Sequence, residues 1–127
     1  MQIRGEFDVK MTPQPADEAA GPMGRFTLAK EFRGDLTGAS RGQMLAFGSA
    51  TEGSAGYVAM EQVSGTLGGK AGTFVLQHSS TMTRGTPRQS ITVVPDSGTG
   101  ELLGLSGSMT IDIVGGKHFY DFNFEMA

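Results

Sequence analysis

The stretch of residues 93–107, VVPDSGTGELLGLSG, constrains the fold of this chain more than any other part of the sequence. In this segment the end of a strand is followed by a proline, a turn of Gly and Ser residues, an apolar pair, and glycines at which the next strand begins. Glycine tolerates backbone with positive φ and very close packing, which other residues resist. Because strand-like residues enter and leave this segment, it predicts a tight corner in an all-β barrel.

The rest of the chain repeats a period of two, which is typical of strands with one buried face. The clearest case is residues 3–11, where apolar residues and glycine alternate with polar and charged ones. Glycine-containing turns are predicted at residues 67–72, 84–87 and 115–116. The predicted strands cover residues 3–11, 25–33, 43–48, 56–66, 73–82, 88–94, 108–114 and 117–126.

Eight consecutive strands joined by short turns predict an antiparallel meander in one domain, residues 1–127. Closure removes the exposed strand edges, so we expect a closed eight-stranded antiparallel barrel of calycin-like type. The interior of such a barrel is filled by side chains or holds one small ligand. Residues 12–24 carry three prolines and no periodicity, so they predict a loop that is a candidate lid.

Composition excludes several classes of function. The chain has no cysteine, which rules out disulfides, thiol catalysis and cysteine-bound zinc, and favours a cytoplasmic location. No signal-peptide run or membrane span is found, so no membrane partner is expected. The net charge of −3 and the scattered basic residues argue against nucleic acid. Phosphate-loop, nucleophile-elbow and metal-spacing motifs are absent, so no cofactor or metal is predicted.

Three segments carry a resemblance to a known family: EQVSGTLGG at residues 61–69, GTFVLQHS at residues 72–79, and the corner at residues 93–107. They resemble a bacterial family of uncharacterised single-domain proteins whose fold is similar to that of allene oxide cyclases. The similarity runs in order through nearly the whole chain, to His118-Phe119-Tyr120. The corner SGTG at residues 97–100, with Gly104 and Gly107, is also similar to a corner of plant allene oxide cyclases and of dirigent proteins.

The resemblance implies an eight-stranded barrel with a central cavity and a homo-oligomeric assembly. It implies no activity, because the similar bacterial proteins have none assigned. The catalytic pattern of allene oxide cyclases includes a cysteine, which this chain lacks. No catalytic residue is therefore carried over.

Two charged residues fall in phase with apolar neighbours. Lys30 shares a predicted face with Phe26, Leu28 and Phe32, and an inward lysine would serve as a base or imine-former. The alternative is a lysine at a barrel mouth that reaches water. If Glu61 points inward, it would pair with Lys30 or serve as an acid/base group; if outward, it would be solvated.

Three further residues are candidates for binding a ligand. His78 lies in phase with Phe74 and Leu76, where it would shuttle protons or be a hydrogen-bonded core residue. Tyr57 and Tyr120 would offer hydroxyl groups to a ligand, with core packing as the alternative.

These residues favour a protein that binds a small apolar or amphipathic molecule in its lumen, with Lys30, Tyr57, Glu61, His78 and Tyr120 as candidate contacts. Two alternatives stay open. One is an isomerase or cyclase acting on an unsaturated or epoxide substrate, and the other is a structural homo-oligomer with a filled core. The sequence does not decide whether the protein is an enzyme.

Overall fold

A computed structural model describes residues 1–127 and shows eight antiparallel strands closed into a barrel in the order β1 to β8. Each strand pairs with its neighbours in sequence, and β8 pairs with β1 to close the wall. The predicted fold class is confirmed. The strands are β1 Gln2–Pro13, β2 Gly24–Gly34, β3 Leu36–Gly48, β4 Ala55–Leu67, β5 Lys70–Thr83, β6 Thr86–Val93, β7 Leu105–Val114 and β8 Lys117–Met126.

The prediction for the third strand was wrong at its start, because β3 begins at Leu36 rather than at residue 43. Its first half is rich in small residues, including Gly38, Ser40 and Gly42, which are typical of loops in a sequence. The whole strand nevertheless pairs with both neighbours, from Gly38 to Ala46 on β2 and along its full length on β4. The seventh strand also starts earlier than predicted, at Leu105.

The corner at residues 93–107 closes one end of the barrel, which we call the closed end. It contains a short 3-10 helix, Gly100–Leu102, whose Leu102 is buried in the core. Three alternate side chains of the corner accept hydrogen bonds from backbone N–H groups of β5: Glu101 from Ala71, Thr99 from Thr73, and Ser97 from Val75. The corner thus continues the hydrogen bonding of the wall beyond the end of β6.

The buried core consists of two separate apolar clusters. The larger, which we call the lower core, fills the closed end; the smaller, which we call the upper cluster, contains Leu28, Met44 and Ala59, with Phe26, Ala46 and Tyr57 packed against it. The lower core contains Phe7, Phe32, Leu36, Val63, Leu67, Phe74, Leu76, Ile91, Val93, Leu102, Leu105, Met109, Tyr120, Phe122 and Phe124.

The opposite end of the barrel, which we call the open end, is less completely filled. The side chains that point inward become less buried toward this end of the strands. Phe26 and Tyr57 are half-buried, and Met11 and Met82 are exposed. Side chains fill the lumen of the closed end, where the resemblance implies a central cavity. At the open end, the inward side chains are only partly covered.

The seam between β6 and β7 is the weakest in the wall. These strands pair only through Ile91 with Met109 and Thr92 with Ser108. Further toward the open end, the Gln89 side chain takes over the pairing: its amide donates to the Ile111 carbonyl at 3.1 Å and accepts from the Ile111 N–H at 2.7 Å. The wall is therefore held by a side chain where its backbone ladder has ended.

The segment between β1 and β2 lies at the open end and is a loop as predicted, but it is shorter than residues 12–24, because β1 runs to Pro13 and β2 begins at Gly24. It contains one 3-10 turn, Glu18–Ala20, capped by the Asp17 side chain, and its residues are almost all exposed. Whether it acts as a lid stays a prediction. None of the helices in the structure has the length and apolar character to cross a membrane.

Candidate functional site

Four buried polar residues form one hydrogen-bonded group, which we call the polar cluster: Lys30, Ser40, Glu61 and His78. The Lys30 ammonium donates to Glu61 Oε1 at 2.9 Å, and His78 Nε2 lies 2.7 Å from the same oxygen. The Ser40 hydroxyl donates to Glu61 Oε2 at 2.6 Å. Three of the predicted site residues are thus brought together around one carboxylate.

The cluster lies at the boundary between the two apolar clusters. On β2, Lys30 stands between Leu28 of the upper cluster and Phe32 of the lower core. On β4, Glu61 stands in the same way between Ala59 and Val63. The cluster therefore forms a polar layer on the inner face of β2 to β5, between the lower core and the upper cluster.

The small residues of β3 allow this layer to form. Lys30 pairs with Ser40 across β2 and β3, and Glu61 pairs with Gly42 across β3 and β4. The strand between the two charges thus carries only a hydroxyl and a hydrogen atom at these inward positions. A Cβ at Gly42 would overlap the Met60 carbonyl and the Glu61 backbone. Ser40 and Gly42, two of the small residues that concealed the start of β3, thus let the Lys30 and Glu61 side chains meet.

The Glu61 carboxyl is ionised at neutral pH. Burial by itself would raise the pKa of Glu61, but the hydrogen bond from His78, the Lys30 charge and the hydrogen bond from Ser40 together lower this pKa from 4.5 to about 2. The expected alternative of a solvated Glu61 is wrong, and pairing with Lys30 is confirmed. An ionised carboxylate only accepts hydrogen bonds, so His78 donates its Nε2 proton to Glu61.

The second ring nitrogen of His78 has a different environment. Nδ1 has no hydrogen-bond partner in the protein, although the His78 side chain is only 4% exposed. The side chain points into the barrel, in phase with Leu76. In the neutral ring this nitrogen carries a lone pair and accepts a hydrogen bond or a proton.

Lys30 has an aromatic partner as well as its carboxylate. Its ammonium lies 4.7 Å from the centre of the Phe7 ring and 6.0 Å from that of Phe32, which is within the range of cation–π attraction. The Phe7 ring packs in turn against His118, with ring centroids 5.2 Å apart. The ammonium is thus held in place by one ion pair and one ring face, and only one of its hydrogen bonds is made to the protein.

The two tyrosines lie in different regions. Tyr57 is half-buried at the open end, and its hydroxyl makes no hydrogen bond within the protein. Tyr120 lies in the lower core, where its hydroxyl accepts from the Leu36 N–H at 2.9 Å and donates to the Arg33 carbonyl at 2.9 Å. Burial raises the pKa of Tyr120. The structure therefore supports core packing for Tyr120 and separates it from the other four candidates.

The main concave regions lie on the outside of the wall. The largest, about 620 Å³, lies over β3, β4 and β5 and includes exposed Leu45, Val58 and Met60. None of the main regions brings Lys30, Glu61 and His78 together. The structure contains no group of three or more His, Asp or Glu residues arranged to hold a metal ion.

The fold and the polar cluster define a class of protein: a small closed antiparallel barrel with buried charged residues on its inner face. The chain matches the family model described as "Protein of unknown function (DUF3224)" over residues 3–124, and it belongs to that family. The predicted membership of a bacterial family of unknown function is confirmed.

A solved structure supports the same conclusion. The crystal structure of a protein with unknown function from the DUF3224 family of Shewanella oneidensis MR-1 is 49% identical to this chain, with a TM-score of 0.94. The match covers 100% of this chain and 97% of that one. No curated protein matches the chain. The resemblance to allene oxide cyclases stays a prediction.

Proposed function

We propose that the protein binds a small amphipathic molecule at the open end of the barrel. The apolar part of the ligand would lie against Phe26, Met44 and the Tyr57 ring, and its polar part would reach toward His78 Nδ1 and the Tyr57 hydroxyl. The observation that carries this proposal is the division of the core: apolar side chains continue above the polar layer but are no longer fully covered.

The available hydrogen-bonding groups support a ligand with one polar group. His78 Nδ1 and the Tyr57 hydroxyl have no partner in the protein. Tyr57 pairs with Ser80, and Ala59 with His78, so Tyr57 and His78 are diagonal neighbours on one inner face. Half-exposed methionines at the rim, Met11 and Met82, would adapt to an irregular apolar group.

A fluorescence titration with N-phenyl-1-naphthylamine, an apolar dye that brightens in apolar surroundings, tests the site. We expect Phe26→Asp to abolish the brightening, because it places a carboxylate among the apolar residues of the open end. The matched control is Val58→Asp on the outer wall, where the side chain is 51% exposed. Loss of binding in Val58→Asp with retention in Phe26→Asp would move the site to the outer groove and contradict the proposal.

The chemical class of a natural ligand is addressed by native mass spectrometry of protein purified from its own host. A co-purifying mass that is released by denaturation and absent from Phe26→Asp protein would support binding at the open end. The same mass on both proteins would contradict it.

A second candidate function is homo-oligomer formation through the outer wall. Exposed apolar residues Leu45, Phe47, Val58 and Met60 lie side by side on β3 and β4, with Leu45 directly opposite Val58. A second copy that presents the same face would cover this patch in a two-fold arrangement. Light scattering after size exclusion tests it: Val58→Asp is expected to convert the oligomer to a monomer, and a wild-type monomer would rule it out.

A further inference from the structure

We propose that His78 is a general base that removes a proton from an acidic C–H bond of a small apolar ketone. This inference rests on the proposed binding of a ligand at the open end, and it names the class of substrate. The motivating geometry is a histidine whose Nε2 is fixed on a buried carboxylate while its Nδ1 has no hydrogen-bond partner in the protein.

Glu61 is the positioning residue for this base. Its Oε1 holds the imidazole at 2.7 Å, and its second oxygen is held by Ser40 at 2.6 Å, so the carboxylate does not rotate freely. The carboxylate fixes the proton on Nε2 and stabilises the positive ring that forms when Nδ1 gains a proton. A base oriented in this way has its lone pair directed at one place.

Lys30 supplies the group that would stabilise a developing negative charge. Its ammonium and the imidazole contact the same oxygen, Glu61 Oε1, so they lie within two hydrogen-bond lengths of each other. Only one hydrogen bond from the ammonium goes to the protein. The remaining N–H groups are donors for an enolate oxygen, and fixed donors directed at a developing charge stabilise it.

The proposed reaction is the migration of a double bond in a β,γ-unsaturated ketone. Nδ1 takes a proton from the carbon between the carbonyl and the alkene, and the C–H electron pair moves to form a dienolate whose oxygen faces Lys30. The dienolate then takes the same proton back from Nδ1 at its γ-carbon, which re-forms the carbonyl and gives the conjugated ketone. No atom or electron is gained or lost, and no further reactant is needed.

The test uses the full-length protein with cyclohex-3-enone, and follows the absorbance of conjugated cyclohex-2-enone. We expect His78→Gln to lower the rate at least about 100-fold, which is the usual size of a general-base contribution. Gln77→Ala, on the outer face of the same strand, is the matched control and should keep the wild-type rate. Equal rates for wild type and His78→Gln would overturn the inference.

A measurement on the wild-type protein tests the inference even if the His78→Gln variant does not fold. The ¹⁵N NMR signal of His78 Nδ1 is expected to shift when cyclohexanone, a saturated analogue, is added, while the Nε2 signal changes less. An unchanged Nδ1 signal at saturating cyclohexanone would overturn the inference.

The two proposals fail in different ways. If the dye does not bind at the open end, ligand binding there is wrong. If the dye binds there, is lost in Phe26→Asp, and the isomerisation rate is still the same with and without His78, only the role of His78 as a base is wrong.

Discussion

The closed end and the open end of the barrel are built from the same eight strands, yet they are filled in different ways. At the closed end, the corner carries Leu102 into the core, and the stacked Phe74 and Phe122 rings have no exposure. At the open end, Phe26 and Tyr57 stay half-buried and the strands have no corresponding plug. The polar cluster lies where the two regions meet. This difference indicates that more apolar surface is fully buried at the closed end than at the open end.

The largest expected effect comes from removing an aromatic ring from the closed end. Phe122→Ala should lower the free energy of unfolding by about 3 to 5 kcal/mol, because it leaves a cavity that the packed core cannot collapse to fill. Phe26→Ala at the open end should cost about 1 kcal/mol, since its ring is already partly hydrated. Urea unfolding of both variants measures the contrast, and equal losses would show that the two ends are packed alike.

Breaking the polar cluster should lower the free energy of unfolding by nearly as much as Phe122→Ala does. Glu61→Gln removes the charge that faces Lys30, and an uncompensated buried ammonium should lower stability by about 3 kcal/mol. Lys30→Met should cost less, because the carboxylate keeps its hydrogen bonds from His78 and Ser40. The same urea measurement tests this order. A larger loss in Lys30→Met would mean that the ion pair, rather than the carboxylate network, holds the layer.

The free energy of unfolding should fall at acid pH because of Glu61 in the polar cluster. The pKa of Glu61 is lowered to about 2 in the folded protein, against 4.5 ordinarily, so the folded state binds this proton less readily. Its contribution is fully present above about pH 4.5 and is lost as the pH falls toward 2, which corresponds to about 3 kcal/mol.

Unfolding free energies at pH 6 and pH 3 should show about 2 kcal/mol of this loss, because pH 3 lies between the pKa values of Glu61 in the folded and unfolded states. Exposed Asp8 and Asp121 also have lowered pKa values, because Arg33 and Arg4 respectively bond to them, so they contribute to the same trend. Glu61→Gln is the control, since it retains both surface pairs. If its stability falls between pH 6 and pH 3 as much as that of wild type, Glu61 is not the source.

The smallest expected effect concerns the tyrosine hydroxyl at the closed end. Tyr120→Phe keeps the ring but leaves the Leu36 N–H and the Arg33 carbonyl without this partner, which should cost about 1 to 2 kcal/mol. Tyr57→Phe should cost close to nothing, because its hydroxyl has no partner in the protein. Thermal unfolding compares the two. A loss in Tyr57→Phe as large as that in Tyr120→Phe would remove this distinction between the ends.

Much of the fold could be predicted from local patterns. The alternation of residues 3–11 and the glycine turns predict where strands lie and how they connect. The glycines and the proline of residues 93–107 predict the corner. The short apolar segment of β3 was found, but its first half was missed, because Gly38, Ser40 and Gly42 have no apolar pattern. The reason these residues are small lies on the neighbouring strands: Ser40 and Gly42 face Lys30 and Glu61, and a Cβ at Gly38 would overlap Ser64 and Gly65.

The sequence by itself determined which side chains share a strand face, since the period of two sends alternate residues to the same side. It therefore singled out Lys30, Glu61 and His78, each in phase with apolar residues. Only the tertiary structure decided that they meet, because Glu61 is 31 residues from Lys30 and 17 from His78 along the chain, and strand register sets their contact. It also decided that Tyr120 lies apart from them, since a residue's height along the barrel depends on closure of the whole wall.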